Sequence, residues 1–148
     1  MRRVRDLLIL DDMVIACDSC GGIGPKGCDT VMADAVTTAH FALRVPLLEV
    51  LCSGARPVAV VDALCVERDP TGQLMIDEMV RMAAQVGLCA DAVGGSTEEN
   101  VATRATGVGT MVLGRLDEPG PLRSGGGQPG DVVLCLGLPL SAPRDHVV

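Results

Sequence analysis

The stretch Cys17-Asp18-Ser19-Cys20-Gly21-Gly22-Ile23-Gly24-Pro25-Lys26-Gly27-Cys28-Asp29 follows an apolar run and carries four glycines, one lysine and two carboxylates. Glycine lets backbone N–H groups converge on an anion, and lysine adds a compact positive charge. Carboxylates next to a bound phosphate would repel it unless a hard cation such as Mg²⁺ lies between them. The stretch therefore predicts a phosphate and metal site, although it lacks Walker A spacing and would by itself also fit a flexible turn.

The composition of the 148 residues limits the classes of protein to consider. Apolar residues make up 48% of the chain and predict a buried core, which must be aliphatic because aromatic residues make up only 1%. The net charge of -7 and the near absence of aromatic stacking platforms argue against nucleic-acid binding. No apolar run approaches the roughly 20 residues of a membrane span. We therefore expect a soluble, cytoplasmic protein with no membrane partner.

Strand-like and helix-like patterns alternate along the chain, which predicts a mixed α and β class. We expect strands at 7–10, 14–17, 57–66, 92–93 and 107–116, and helices at 33–52 and 73–86. Pro46 is expected to kink the first helix or to divide it in two. The predicted organisation is a domain at 1–118, a Gly/Pro-rich linker at 119–130, and the first strand of a second, mostly absent domain within 131–148.

Several acids outside the glycine stretch are candidate metal ligands. Asp11 and Asp12 form an acidic turn between two predicted strands, which could face a metal or could simply be solvated. Asp62 lies in the middle of a predicted strand, where a buried carboxylate is costly unless it is paired or binds a metal. An edge strand that points Asp62 to solvent is the alternative. Glu49 also stands among apolar neighbours.

A second polar cluster, Gly94-Gly95-Ser96-Thr97-Glu98-Glu99-Asn100, follows a short predicted strand. Its hydroxyls and carboxylates could bind a metal or a phosphate. The spacing from Ser96 to Glu99 equally fits a capping box at the start of a helix. The two roles are compatible, because a helix N-terminus favours anions.

The seven cysteines are an odd number at modest density, which argues against a disulfide scaffold. Most of them lie in apolar runs, so we expect buried free thiols in a reducing compartment. Cys17, Cys20 and Cys28 could form part of a zinc or iron–sulfur site, but the sequence offers no evident fourth ligand.

Taken together, four segments resemble the superfamily of aminoimidazole ribonucleotide synthetase (PurM), thiamine-phosphate kinase, selenophosphate synthetase and HypE. Asp11-Asp12 is similar to the acid pair of the kinase branch, and the segment from Ala16 to Lys26 resembles T-D-G-V-G-T-K. Residues 48–57 are similar to a helix that ends N-D-x-x-x-x-G-A-x-P, and residues 94–99 resemble G-G-[ED]-T-x-E. The resemblance covers nearly the whole chain and corresponds to the N-terminal, ATP-binding domain of the superfamily.

The resemblance implies an α+β fold, in which a mixed β-sheet packed with helices dimerises through its sheets into a shared barrel. It also implies ATP and Mg²⁺ as cofactors, a small-molecule substrate and a homodimer. The implied metal ligands are Asp11, Asp12, Asp18, Glu49 and Asp62, and the implied catalytic residues are Asp18 and Lys26. The implied ATP contacts are Gly22, Gly24, Lys26, Gly94, Gly95, Ser96, Thr97, Glu99 and Asn100.

The sequence departs from the superfamily pattern at two acids. Glu49 stands in place of Asp, after Leu48 in place of Asn, and Ser96 replaces the acid that follows the double glycine. If those acids carry Mg²⁺ in relatives, the metal set is altered here, and Glu98 or Glu99 could compensate. The G-S-T-E-E-N form resembles a branch that includes proteins taken to be α-ribazole kinases of cobamide salvage.

The leading hypothesis is an ATP-dependent kinase or synthetase that transfers a phosphoryl group to a small metabolite, or activates one of its oxygens. Catalysis would then consist mainly of positioning and of charge neutralisation by Mg²⁺. The alternative is a nucleotide-binding or dimerisation module without catalytic activity of its own.

Overall fold

The computed structural model describes residues 1–117 and 122–135. Two helices cover one face of a six-stranded sheet. The strands are β1 (Arg2–Val4), β2 (Leu7–Leu10), β3 (Met13–Gly21), β4 (Ile23–Gly24), β5 (Val31–Met32), β6 (Arg56–Leu64), β7 (Val93–Thr97) and β8 (Gly107–Arg115). The helices are α1 (Ala35–Cys52) and α2 (Gln73–Gln85), with short irregular turns at Arg68–Gly72 and Ala90–Ala92. The predicted mixed α+β class is confirmed.

The large sheet has the strand order β1-β2-β3-β8-β6-β7. Adjacent strands of this sheet are antiparallel, except for β6 and β7, which are parallel. Strands β4 and β5 form a separate parallel pair. One row across the sheet places Asp18 opposite Thr110, Thr110 opposite Asp62, and Asp62 opposite Gly95. Because neighbouring strands lie about 4.8 Å apart, Asp18 and Asp62 are about 10 Å apart at the backbone.

Helix α1 is capped at its N-terminus by Asp34, whose carboxylate accepts hydrogen bonds from the N–H and the hydroxyl of Thr37, both at 2.8 Å. Contrary to the expected kink or division, Pro46 lies inside one continuous helix. A proline at this position cannot donate to the carbonyl of Ala42. The hydroxyl of Thr110 donates to that carbonyl instead, at 2.7 Å, so the freed acceptor is satisfied by the sheet.

The core lies between the helices and the sheet. Along β3, β6 and β8, alternate side chains such as Val14, Val60 and Val112 are buried against α1. With 18 residues and a mean hydropathy of 1.4, α1 would pass as a membrane span by length and composition. Its buried stripe packs on β3, β8 and α2, which makes it the core helix of this domain.

The opposite face of the sheet is open within the described part of the chain. It exposes apolar side chains along neighbouring strands: Leu8 (43% exposed), Leu10 (50%), Val61 (43%) and Met111 (38%). Cys17 and Cys65 are also exposed, as are Cys28, Cys52 and Cys89, whereas Cys20 is half-buried. The expectation of buried thiols is therefore wrong: Cys17 and Cys52 lie outside the buried stripes of β3 and α1, and Cys28, Cys65 and Cys89 lie outside the strands and helices.

Three expectations about local structure differ from the fold. Cys17–Gly21 continues β3 and is not loop, because it pairs with β8 as far as Gly107. Ser96 and Thr97 end β7, and no helix follows them in the described chain, so the capping box is wrong. Residues 131–135 form no strand, and Val132 and Val133 are 85% and 89% exposed. No described strand lies beside them to complete a ladder, and Leu136 lies outside the described residues.

Candidate functional site

Three carboxylates from separate elements meet at one end of α1. Asp6 lies in the tight turn between β1 and β2, Asp18 lies in β3, and Glu49 lies in the last turn of α1. A cavity of about 480 Å³ is lined by all three together with Arg3. We call this region, defined by Asp6, Asp18 and Glu49, the acidic cleft.

A second cavity, of about 330 Å³, adjoins the acidic cleft and shares Asp6 and Glu49 with it. Its other charged residues are Arg5 and Arg123. The backbone N–H of Arg123 donates to the carbonyl of Ser53 at 2.9 Å, which holds this part of the chain over the end of α1. The acidic cleft therefore has guanidinium groups at its border.

The electrostatics of Glu49 indicate that negative charge outweighs positive charge around its carboxyl group. Burial raises the pKa of Glu49, the charges of Asp6 and Asp18 raise it further, and only Arg5 opposes them. The Oε2 atom of Glu49 is enclosed and has no hydrogen-bond partner in the described structure. An unpartnered carboxylate oxygen beside like charges is costly, and a cation would relieve both the repulsion and the missing contact.

The protein side chains do not form a complete metal cage. In residues 1–117 and 122–135, no group of three or more His, Cys, Asp or Glu side chains is close enough together to hold a metal ion. Mg²⁺ commonly binds through one or two carboxylates, with the remaining ligands supplied by water and substrate phosphates. The donors of the acidic cleft fit that kind of binding, in which a phosphate completes the coordination.

Two predicted metal ligands lie elsewhere. Asp11 and Asp12 form the turn between β2 and β3, where Asp12 pairs with Arg115 at 3.1 Å. At about 3.3 Å per residue, the run of β3 from Met13 places this turn about 17 Å or more from Asp18. The structure therefore does not bring Asp11 or Asp12 to the acidic cleft.

Asp62 does not line the acidic cleft, but it lines a third cavity, of about 400 Å³, together with Asp18 and Thr110. It is only 4% exposed, and its Oδ1 atom has no hydrogen-bond partner in the described structure. Burial raises its pKa, against opposing effects of Arg68 and the N–H of Ser96. A Cβ atom at Gly95 would lie 2.5 Å from the Cγ of Asp62, so the glycine is needed to make room for this carboxyl group.

The glycine stretch is tied together by its own polar groups. Lys26 pairs with Glu67, and the hydroxyl of Thr71 donates to the same carboxylate at 2.5 Å. Burial alone would raise the pKa of Glu67, but the hydrogen bonds from Lys26 and Thr71 lower it. The N–H of Gly22 donates to the carbonyl of Thr106 at 2.8 Å. Neither the lysine nor this N–H is free to bind an anion in this conformation.

Asp29 organises the same stretch. It accepts hydrogen bonds from the N–H of Lys26 at 2.8 Å and from the N–H and hydroxyl of Thr106, both at 2.7 Å. Gly24 packs so closely on Thr106 that a Cβ there would lie 2.3 Å from the hydroxyl oxygen. Close packing thus accounts for the glycine that the sequence suggested as a phosphate contact.

The 94–100 cluster forms a third region, three strands away from Asp18. Glu99 accepts the backbone N–H of Arg68 at 2.7 Å and the hydroxyl of Thr97 at 3.1 Å. A cavity of about 380 Å³ is lined here by Gly94, Gly95, Ser96 and Thr97 with Asp62 and Arg68. Of the residues predicted from the sequence, only Asp18 and Glu49 therefore meet in the acidic cleft.

Sequence reasoning missed Asp6, Arg5 and Arg123. Asp6 is a single acid within a basic N-terminus, and its position depends on β1, which the sequence did not predict. The three predicted cysteine ligands belong to no metal-binding group in the described residues. Burial raises the pKa of the Cys20 thiol, as do Asp18 and Asp29, which disfavours a metal-binding thiolate.

A family model for the AIR synthase related protein, N-terminal domain, matches residues 11–116. The chain belongs to the AIR synthase-related family. This confirms the superfamily that the motifs indicated, whereas its α-ribazole kinase branch stays a prediction. No curated protein matches the chain by sequence.

Solved structures share the fold of this AIR synthase-related chain. Thiamine monophosphate kinase from Aquifex aeolicus matches with a TM-score of 0.59 and 13% identity, over 80% of this chain and 38% of that one. AaThiL complexed with AMPPCP and TMP matches with a TM-score of 0.54 and 13% identity, over 73% of this chain and 34% of that one. The HypE-HypF complex matches with a TM-score of 0.51 and 18% identity, over 76% of this chain and 36% of that one. The chain thus spans less than two fifths of these relatives.

Proposed function

We propose that the acidic cleft is the Mg-ATP site of an ATP-dependent kinase or synthetase acting on a small metabolite. The observation that carries the proposal is the unpartnered Oε2 of Glu49, held next to Asp6 and Asp18 in a cavity bordered by arginines. Family membership supports it, as does the related AaThiL structure, which holds AMPPCP, an analogue of ATP.

In this proposal one or two of the carboxylates Asp6, Asp18 and Glu49 would bind Mg²⁺, water and phosphate oxygens would supply its other ligands, and the ion would neutralise charge on the phosphates. The carboxylates would fix its position, since each lies on a different element of the fold. The half-buried setting of Asp18 and Glu49 would limit competing water. Positioning and charge neutralisation supply most of the catalysis in phosphoryl transfer. The acceptor, α-ribazole included, stays a prediction, as does the cytoplasmic location.

Calorimetric titration with Mg-ATP tests this proposal. Replacing Asp18 by Asn keeps the shape of the side chain but removes a metal ligand, so Asp18→Asn should weaken binding at least tenfold. Asp77→Asn is the matched control, because Asp77 is exposed on α2 and bonds only to Gln73 among the described side chains. Equal affinity in Asp18→Asn and wild type would contradict the proposal.

A homodimer would cover the open face of the sheet. The exposed side chains Leu8, Leu10, Val61 and Met111 form an apolar surface of the kind that marks an interface. Sedimentation analysis should show a dimer for the wild type and a monomer for Met111→Lys, whereas Leu74→Lys on the exposed side of α2 should remain dimeric. A monomeric wild type at micromolar concentration would contradict this part of the proposal.

A second candidate function is a nucleotide-binding module without turnover. The observation behind it is that Lys26, the lysine implied as catalytic, is paired with Glu67. ADP release in the presence of Mg-ATP and candidate acceptors separates the two candidates. Mg-ATP binding without any turnover would favour the module.

A further inference from the structure

Arg5 has an unusual backbone conformation for its residue type. It lies in the tight turn between β1 and β2 with a φ of 54°, in the left-handed region. Asp11, in the next hairpin turn, is the other described residue besides glycine with a positive φ. This region is unfavourable for a residue with a long side chain and natural for glycine. Strained residues of this kind cluster at functional sites.

The side chain of Arg5 lines the cavity of about 330 Å³ that also contains Asp6 and Glu49. Its positive charge reaches Glu49, since it is the one influence that lowers the pKa of that carboxyl group. Within the described chain its guanidinium group nevertheless has no hydrogen bond and no ion pair, and only its backbone carbonyl is used, by Arg3 at 3.0 Å. Five N–H donors thus remain available next to the acidic cleft.

The lysine of the glycine stretch offers a contrast. Lys26 is paired with Glu67, in a hydrogen-bond network that also includes Thr71. Its charge is neutralised inside the protein, so an incoming phosphate would have to break that ion pair. Arg5 has no such competitor, and a guanidinium group can bind two phosphate oxygens at once.

We propose that Arg5 binds a phosphate group of the nucleotide whose metal ion is held by the acidic cleft. The proposal rests on the proposed function. Two neighbouring residues of one turn would then bind different parts of the ligand: Asp6 would bind the cation and Arg5 would bind phosphate oxygens. Both residues line the same cavity.

The test compares Arg5→Gly with Asp11→Gly, because both replace a left-handed residue by glycine and only one of them lies at the cavity. In the full 148-residue chain, Arg5→Gly should weaken Mg-ATP binding about tenfold or more, as expected for loss of a charge-assisted contact. Its melting temperature should stay unchanged or rise, because glycine removes the backbone strain. Asp11→Gly should bind like wild type, and Arg5→Lys should recover part of the affinity.

The outcomes separate this inference from the proposed function. If the wild type binds Mg-ATP and Arg5→Gly binds it equally well, the inference is wrong and the Mg-ATP site stands. If Arg5→Gly loses affinity together with more than about 4 °C of melting temperature, Arg5 is structural and the inference is also wrong. If the wild type does not bind Mg-ATP, the proposed function fails and the inference fails with it.

Discussion

The acidic cleft and the glycine stretch are both rich in charge, but they differ in how that charge is satisfied. In the glycine stretch Lys26 pairs with Glu67, and Asp29 accepts three hydrogen bonds. In the acidic cleft, Glu49 keeps an enclosed oxygen without a partner in the described structure. Groups satisfied within the protein stabilise the fold, whereas an enclosed polar atom that lines a cavity without a partner is a candidate contact for a ligand. We therefore propose the acidic cleft, and not the more conspicuous glycine stretch, as the site that binds a ligand.

The largest stability effect is expected in the glycine stretch, for Asp29→Ala. This change leaves three donors without their acceptor and should lower the free energy of unfolding by about 1–3 kcal/mol. Burial alone would raise the pKa of Asp29, but its hydrogen bonds hold that pKa below the ordinary value of 3.8. Its stabilisation is therefore present above pH 3.8 and lost as pH falls through the folded-state pKa.

Urea denaturation of wild type and Asp29→Ala at neutral and acid pH measures this effect. The difference in stability should be full near pH 7 and should shrink below about pH 4. Mg-ATP affinity of the folded variant should match wild type. If Asp29→Ala lost much of its Mg-ATP affinity without losing stability, the glycine stretch would also be a ligand site and the contrast with the acidic cleft would not hold.

A smaller effect of opposite sign is expected in the acidic cleft, for Glu49→Gln. Because the folded-state pKa of Glu49 is raised, its charged form disfavours folding at neutral pH. Replacing it by Gln should raise the free energy of unfolding by about 0.5–1 kcal/mol and weaken Mg-ATP binding. The gain should disappear at low pH, where Glu49 is protonated. Thermal denaturation of wild type and Glu49→Gln at pH 7 and pH 4 checks this prediction. A Glu49→Gln variant that is less stable than wild type at pH 7 would contradict the account.

The fold was largely predictable because periodic apolar patterns report which face of an element is buried. Helices α1 and α2 and strands β6 and β8 lie within a few residues of their predicted positions. The continuity of α1 was not predictable, since the partner that replaces the hydrogen bond lost at Pro46 is Thr110, 64 residues further along the chain.

The candidate site was predictable only in part. Asp18 and Glu49, two of the five expected metal ligands, line one cavity, but Asp6 carries no local signal and is placed by the β1–β2 turn. Lys26 was expected to contact phosphate, and nothing in the sequence indicated its ion pair with Glu67, which lies 41 positions away. Sequence motifs indicate which residue types are present, whereas pairing in three dimensions decides which of them remain available to a ligand.

The most direct test of the Mg-ATP site is a paired calorimetric titration of Asp6→Asn and Lys26→Met with Mg-ATP. Asp6 is selected by the structure and Lys26 by the sequence motif, so the pair compares the two regions with one ligand. The account predicts at least a tenfold loss of affinity for Asp6→Asn and an affinity within about twofold of wild type for Lys26→Met. The reverse result, with binding lost in Lys26→Met and retained in Asp6→Asn, would contradict it.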